Sequence, residues 1–207
     1  GSDEGGMLPA YGAVVLDEGH CVEDTAAIHL GVRVSTFGLR RALRRLYNAE
    51  RNRGLLVDVM YTAERLAVID ALDKTERFFA RMRDWLAKQD ENPLRYTVPG
   101  HVPDMLAETL ETVHRRVSTL ARSEEDEGRQ QEMLSLAEQV WGYRQAISTV
   151  LDMKLDDHVY WLERFGPGQQ GVSLNAVPIQ VGERLRECLF NREFTVIMTS
   201  ATLAVKG

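Results

Sequence analysis

Two short stretches, one near each end of this chain, carry residue types that phosphate chemistry uses. Ala13-Val14-Val15-Leu16 runs into Asp17-Glu18-Gly19-His20, and Val196-Ile197-Met198 runs into Thr199-Ser200-Ala201-Thr202-Leu203. A short apolar run followed by a polar cluster is how a buried parallel strand delivers reactive side chains at its C-terminal edge. Adjacent acids there read as a Walker B pair. Asp17 is placed to hold Mg²⁺ through water, and Glu18 to take a proton from the attacking water. The plainer readings are an exposed acidic pair after one strand and a hydroxyl-rich turn after the other. His20 has two plainer readings: a capping histidine, or part of a metal cluster with Cys21 and Asp24. Adjacent ligands of that kind rarely close a tetrahedral site unaided.

The elements that must position these residues follow from the pattern between them. The 207 residues suffice for one domain or two small ones. An apolar content of 44% supplies a core, and 27% charged residues argue against a disordered chain. The net charge of −6 points away from a generic nucleic-acid binder and leaves the decision to local patches. Cys21 and Cys188 form neither a C-x-x-C pair nor a disulfide framework, which suits a reducing cytoplasm. No apolar stretch approaches the length of a membrane span. Residues 1–7 read as a tag or linker.

Residues 8–24 are expected to hold a strand and the acidic motif, with a turn over 21–31. A helix is expected over 35–50, capped by Ser35 and striped by Leu39, Leu43 and Leu46. A longer one follows over 59–89, closed by Asn92-Pro93 and Pro99-Gly100. Leu106, Leu110, Val113, Val117 and Leu120 step by four and three, as do Leu136, Val140, Tyr143, Ile147 and Val150. That seam predicts two helices, and the acidic linker 123–128 makes them an antiparallel hairpin. After Asp157 the pattern returns to strands around 159–162 and 172–174, a helix starting at Pro178, and a last strand over 195–199. The expected class is mainly α: a helical middle over 25–157, with short strands in 8–24 and 158–207.

Seven arginines against one glutamate, Glu50, stand between residues 33 and 53. Arg40, Arg41, Arg44 and Arg45 recur at helical spacing on about one face, which suits a phosphate backbone and equally suits a solvated face paired with acids. Trp85, Trp141, Trp161, Tyr143 and Tyr160 are candidates for base stacking, although helical stripes place most of them in the core.

The motif order resembles the DinG/XPD family of superfamily 2 helicases, most of all its bacterial DinG branch. The resemblance rests on Leu8-Pro9, Tyr11 through His20, Glu23-Asp24, Tyr160-Trp161-Leu162-Glu163, Ala176-Val177-Pro178-Ile179, and Thr199 through Leu203. It covers essentially the whole chain and is specific at both ends, while the helices match mainly in topology. It implies that residues 13–20 are motif II and 199–203 motif III of a RecA-like motor domain, with β-strands at Leu16 and Met198 as parallel neighbours. The helical middle would be the family's arch insertion. It also implies ATP and Mg²⁺ as cofactors, DNA repair as the context, and 5′ to 3′ translocation on single-stranded DNA, with the arch guiding or clamping the strand and offering a docking place for partner proteins. Asp17, Glu18 and His20 would serve hydrolysis, and Thr199, Ser200, Ala201 and Thr202 would couple it to DNA. Gly19 departs from the family, which usually has Ala there. The chain holds no G-x-x-x-x-G-K-[ST] phosphate loop and nothing after motif III, so hydrolysis is expected of the full-length parent and not of this piece. Any iron–sulfur cluster would sit upstream of residue 1 and none within the chain. The alternative is a non-catalytic helical module that binds DNA or proteins.

Overall fold

The computed structural model describes residues 11–191 and 193–201, and they divide into two compact units. One comprises the residues up to Gly31 and those from Val177 onward; the other is Val32–Ala176. In chain order, the first unit opens with β1 (Ala13–Leu16), a tight turn over Gly19–Cys21 and α1 (Val22–Leu30). The second unit holds β2 (Val32–Ser35), α2 (Thr36–Leu46), α3 (Thr62–Leu86), β3 (Leu94–Arg95), α4 (Ala107–Ala121), α5 (Glu127–Leu151), β4 (His158–Phe165) and most of β5 (Gly171–Pro178). The chain then returns through α6 (Val181–Leu185), which continues as a wider π turn over Arg186–Phe190, to β6 (Thr195–Met198). About 54% of the fold is helix and 17% strand, which makes it a mixed α/β chain in which the middle body has a sheet of its own.

In the middle body, Ser35 caps α2 by accepting a 3.1 Å hydrogen bond from the Gly38 amide. The expected stripe of Leu39, Leu43 and Leu46 is fully buried. Asp126 caps α5 in the same way, accepting from the Arg129 amide at 2.8 Å. The helices α4 and α5 run antiparallel. Gln130 donates to the Ala121 carbonyl near the connection, and the His114 ring nitrogen meets the Ala137 carbonyl further out, so sequence distance grows along the pair. Their apolar seam, Leu110, Val113 and Val117 against Leu136, Val140 and Ile147, is closed to solvent. The sheet order is β2-β5-β4-β3, with β2 and β5 antiparallel. Tyr96 ties the body's lower loop together, donating to the Leu151 carbonyl and accepting from the Val102 amide.

Several boundaries differ from expectation. Residues 22–30 form a helix where a turn was expected. Their signal is not a stripe but charge at the ends, with Glu23 and Asp24 in the first turn and His29 in the last, which suits the helix dipole. Pro178 ends a strand instead of starting a helix, because a missing amide is tolerated at a strand terminus. The body's edges also move, from 25–157 to Val32–Ala176: β2 pairs with β5, so residues 158–176 stay with the helices instead of returning to the end strands.

Candidate functional site

In the unit made from the chain ends, β1 and β6 pair in parallel, in register from Ala13 opposite Thr195 to Leu16 opposite Met198. Parallel pairing carries the two C-terminal strand ends to the same edge. The Thr199 amide continues the ladder to the Leu16 carbonyl at 2.9 Å, and the Gly19 amide closes back on the Thr199 carbonyl at 2.8 Å. Residues 180 positions apart are thereby locked into one loop cluster.

Asp17 leads that cluster. Its Oδ1 accepts a 2.7 Å bond from the Thr199 hydroxyl and a 2.9 Å bond from the Glu18 amide. These two donors, Thr199 first, hold the Asp17 carboxyl below the usual carboxylate range, so an exposed anion stands at the strand edge. Glu18 sits in the left-handed region at φ 53°, a conformation few non-glycine residues adopt. Such local strain concentrates at functional sites. The bend turns Glu18 toward His20, whose Nδ1 lies 3.2 Å from Glu18 Oε2 and 2.7 Å from Ser200 Oγ. A single ring nitrogen therefore stands between the acid and the hydroxyl, and its tautomer decides which of them it serves.

Gly19 is buried beneath this loop. A Cβ there would come within 3.1 Å of the Met198 methyl and 3.5 Å of the Thr199 carbonyl oxygen. The side chain that must yield is the mobile end of a methionine, so glycine here is a close fit rather than a conformational necessity. Ala201 follows the cluster as an exposed residue, and Thr202 and Leu203 lie outside the described residues.

Among the described residues no group of three or more His, Cys, Asp or Glu side chains is placed to hold a metal, so His20, Cys21 and Asp24 do not assemble as one. A single ionised carboxylate is the usual protein share of a hydrated Mg²⁺, whose remaining ligands come from water and substrate phosphates.

The second candidate surface lies on α2. Arg40, Arg41, Arg44 and Arg45 line one shallow cleft together with Phe37. Acids partner three of them: Glu76 at 3.8 Å from Arg40, Glu50 at 3.5 Å from Arg44, and Glu132 at 3.5 Å from Arg45. The arginines thus share a face, and that face is partly neutralised. Arg41 has no ion pair among the described residues and stands near Tyr143, whose phenol burial pushes up while Arg41 draws it back. Phe37 was not singled out in the sequence, although its spacing to Arg40, Arg41 and Arg44 is helical. Of the aromatic candidates, Tyr160 is 2% exposed and bonded through its hydroxyl to Leu155, so it belongs to the core. Trp85 and Trp141 rest against His101 and His114.

No family model matches the chain. Over its whole length it is 25% identical to the 3′-5′ exonuclease DinG of Bacillus subtilis (strain 168), and it spans 26% of that protein. The chain thus matches about a quarter of that protein's length.

Proposed function

We propose that this chain is the part of a DinG-type, ATP-dependent DNA motor that carries motif II, the helical arch and motif III. The observation that carries the reading is the pair of 2.7 Å bonds, Thr199 to Asp17 and His20 to Ser200, which join the two motifs at one edge of a parallel strand pair. Parallel strands ending together at a loop cluster are where open α/β sheets bind nucleotides, and this favours a RecA-like host for β1 and β6.

The chemistry divides among the residues by position. Asp17 would hold a hydrated Mg²⁺ through its exposed carboxylate, and the ion would supply positive charge at the phosphates of ATP. Glu18 takes the proton of the attacking water at its exposed carboxylate. His20 senses that carboxylate on one side and Ser200 on the other, so a change of charge at Glu18 alters the hydrogen bond that motif III makes. Thr199 fixes Asp17 and, through the ladder, the end of β6. The phosphate cradle is supplied from outside these residues, since no P-loop pattern is present in them. The bacterial relative's name is that of an exonuclease. Two-metal nuclease chemistry needs a cluster of metal-binding carboxylates, and none is assembled among the described residues. That favours the motor reading for this part of the protein. The arch, with its arginine face, guides single-stranded DNA.

The test is ATP hydrolysis by the complete protein, with and without single-stranded DNA, beside Glu18→Gln. The expected outcome is DNA-stimulated hydrolysis that falls by about 10²- to 10⁴-fold in the variant. Wild-type protein that hydrolyses no ATP would leave the helical body as a binding module alone.

A further inference from the structure

Phe37 occupies an odd place for a phenylalanine. It lies in the first turn of α2 and is 41% exposed, while Leu39, Leu43 and Leu46 on the opposite face of the helix are fully buried. Its ring is nevertheless firmly seated. Phe165 meets it edge to face, with centroids 5.6 Å apart and planes at 86°. Beneath both rings lies Gly171, where a Cβ would come within 2.8 Å of Phe37 Cε2 and of Phe165 Cε1 and Cζ. Glycine at 171 thus lets the two rings rest directly on backbone. The Arg33 guanidinium lies 5.7 Å from the Phe165 centroid and that of Arg40 lies 5.4 Å from the Phe37 centroid. A rigid, partly exposed aromatic ring forms one end of a cleft whose other walls are four arginines.

We propose that Phe37 is a base-stacking platform: one base of a single strand rests on its ring while the flanking phosphates run along Arg40, Arg41, Arg44 and Arg45. Charge complementarity selects the occupant. The cleft pairs a π surface with a row of cations, which is the combination that single-strand binding sites use. From Phe37 to Arg45 the helix rises roughly 12 Å at 1.5 Å per residue, so ring and guanidinium groups are spread along one short track. The acids at Glu50, Glu76 and Glu132 contact their arginines at 3.5 to 3.8 Å from exposed positions, which makes these pairs weak and open to exchange for phosphate. A pre-seated ring loses little freedom when a base stacks on it. The inference rests on the nucleic-acid half of the proposed function and is independent of hydrolysis.

The test uses the whole chain and two fluorescent strands of about fifteen nucleotides, a length within the range of single-strand sites. One is oligothymidylate, and the other is its abasic counterpart, with the same phosphates and no bases. Anisotropy titrations are expected to show the thymidylate strand bound about tenfold more tightly. Phe37→Ala should erase that gap and leave abasic binding unchanged, whereas Phe37→Tyr should keep it. Far-ultraviolet circular dichroism checks that both variants fold. Equal affinities in the wild type, or a gap that survives in folded Phe37→Ala, would overturn the platform while leaving the motor reading intact. Binding of neither strand would remove the nucleic-acid role of α2 altogether. Oligoglutamate that competes as well as the abasic strand would make the cleft a general anion face and also overturn the proposal.

Discussion

Strands with the same apolar lettering meet opposite fates in the two units. In the middle body, Val34, Val172 and Leu174 are 0% exposed, because four strands and long helices enclose them. In the end unit, Val15 and its register partner Ile197 are 64% and 47% exposed. Two parallel strands cannot bury both of their faces, and parallel sheets are ordinarily covered on each side. The middle body therefore carries its own stability. The end ribbon holds the candidate site, with an apolar face left exposed among the described residues.

The contrast can be broken most forcefully in the body's core. Leu136→Ala, at a fully buried seam position, is expected to cost about 2–5 kcal/mol in chemical denaturation of the chain. A loss below about 1 kcal/mol would mean that the α4–α5 seam is looser than its burial implies.

A smaller effect is expected at the strand edge. Thr199→Val removes the larger of the two donors that lower the Asp17 pKa, so the Asp17 carboxyl should titrate closer to the usual 3.8, followed by its carboxyl carbon in NMR. Because the folded value is depressed, the stabilisation from that bond is present above pH 3.8 and is lost as the pH falls through the lower folded value. The variant should therefore lose less stability than the wild type on acidification through that window. An unchanged Asp17 titration would remove Thr199 as its controlling partner.

The smallest effect sharpens the comparison from the other side. Val15→Ser should change the stability of this chain by no more than about 0.5 kcal/mol, as an exposed position does. The same change in the complete protein should cost more if the ribbon's open face is covered there. Equal effects in both would mean that the face stays bare.

Much of the middle body was legible because its helices announce themselves in side-chain rhythm. Ser35 and the leucines of α2 could be read directly, as could the four-and-three stepping of α4 and α5. What rhythm does not encode is strand partnership. Nothing in Val32-Arg33-Val34-Ser35 says that it pairs with residues 173–176, so the sheet of the body and its true edges emerged only in three dimensions. The site was legible in residue type, since Asp17, Glu18, His20, Thr199 and Ser200 do come together. The bend at Glu18 and the shared nitrogen of His20 were not, because both depend on how two distant loops close on each other. Phe37 escaped notice because one phenylalanine before a leucine stripe reads as core until its exposure is known.

Val32 and Ala176, the first and last residues of the middle body, are directly opposite each other in the β2–β5 ladder. The body thus leaves the polypeptide at the point where it enters. To the flanking chain, everything in between is a closed loop, and a tight hairpin turn would span the same gap. A segment with such a neck can be lifted out, circularly permuted or exchanged for another insert without asking its host to bridge a new distance.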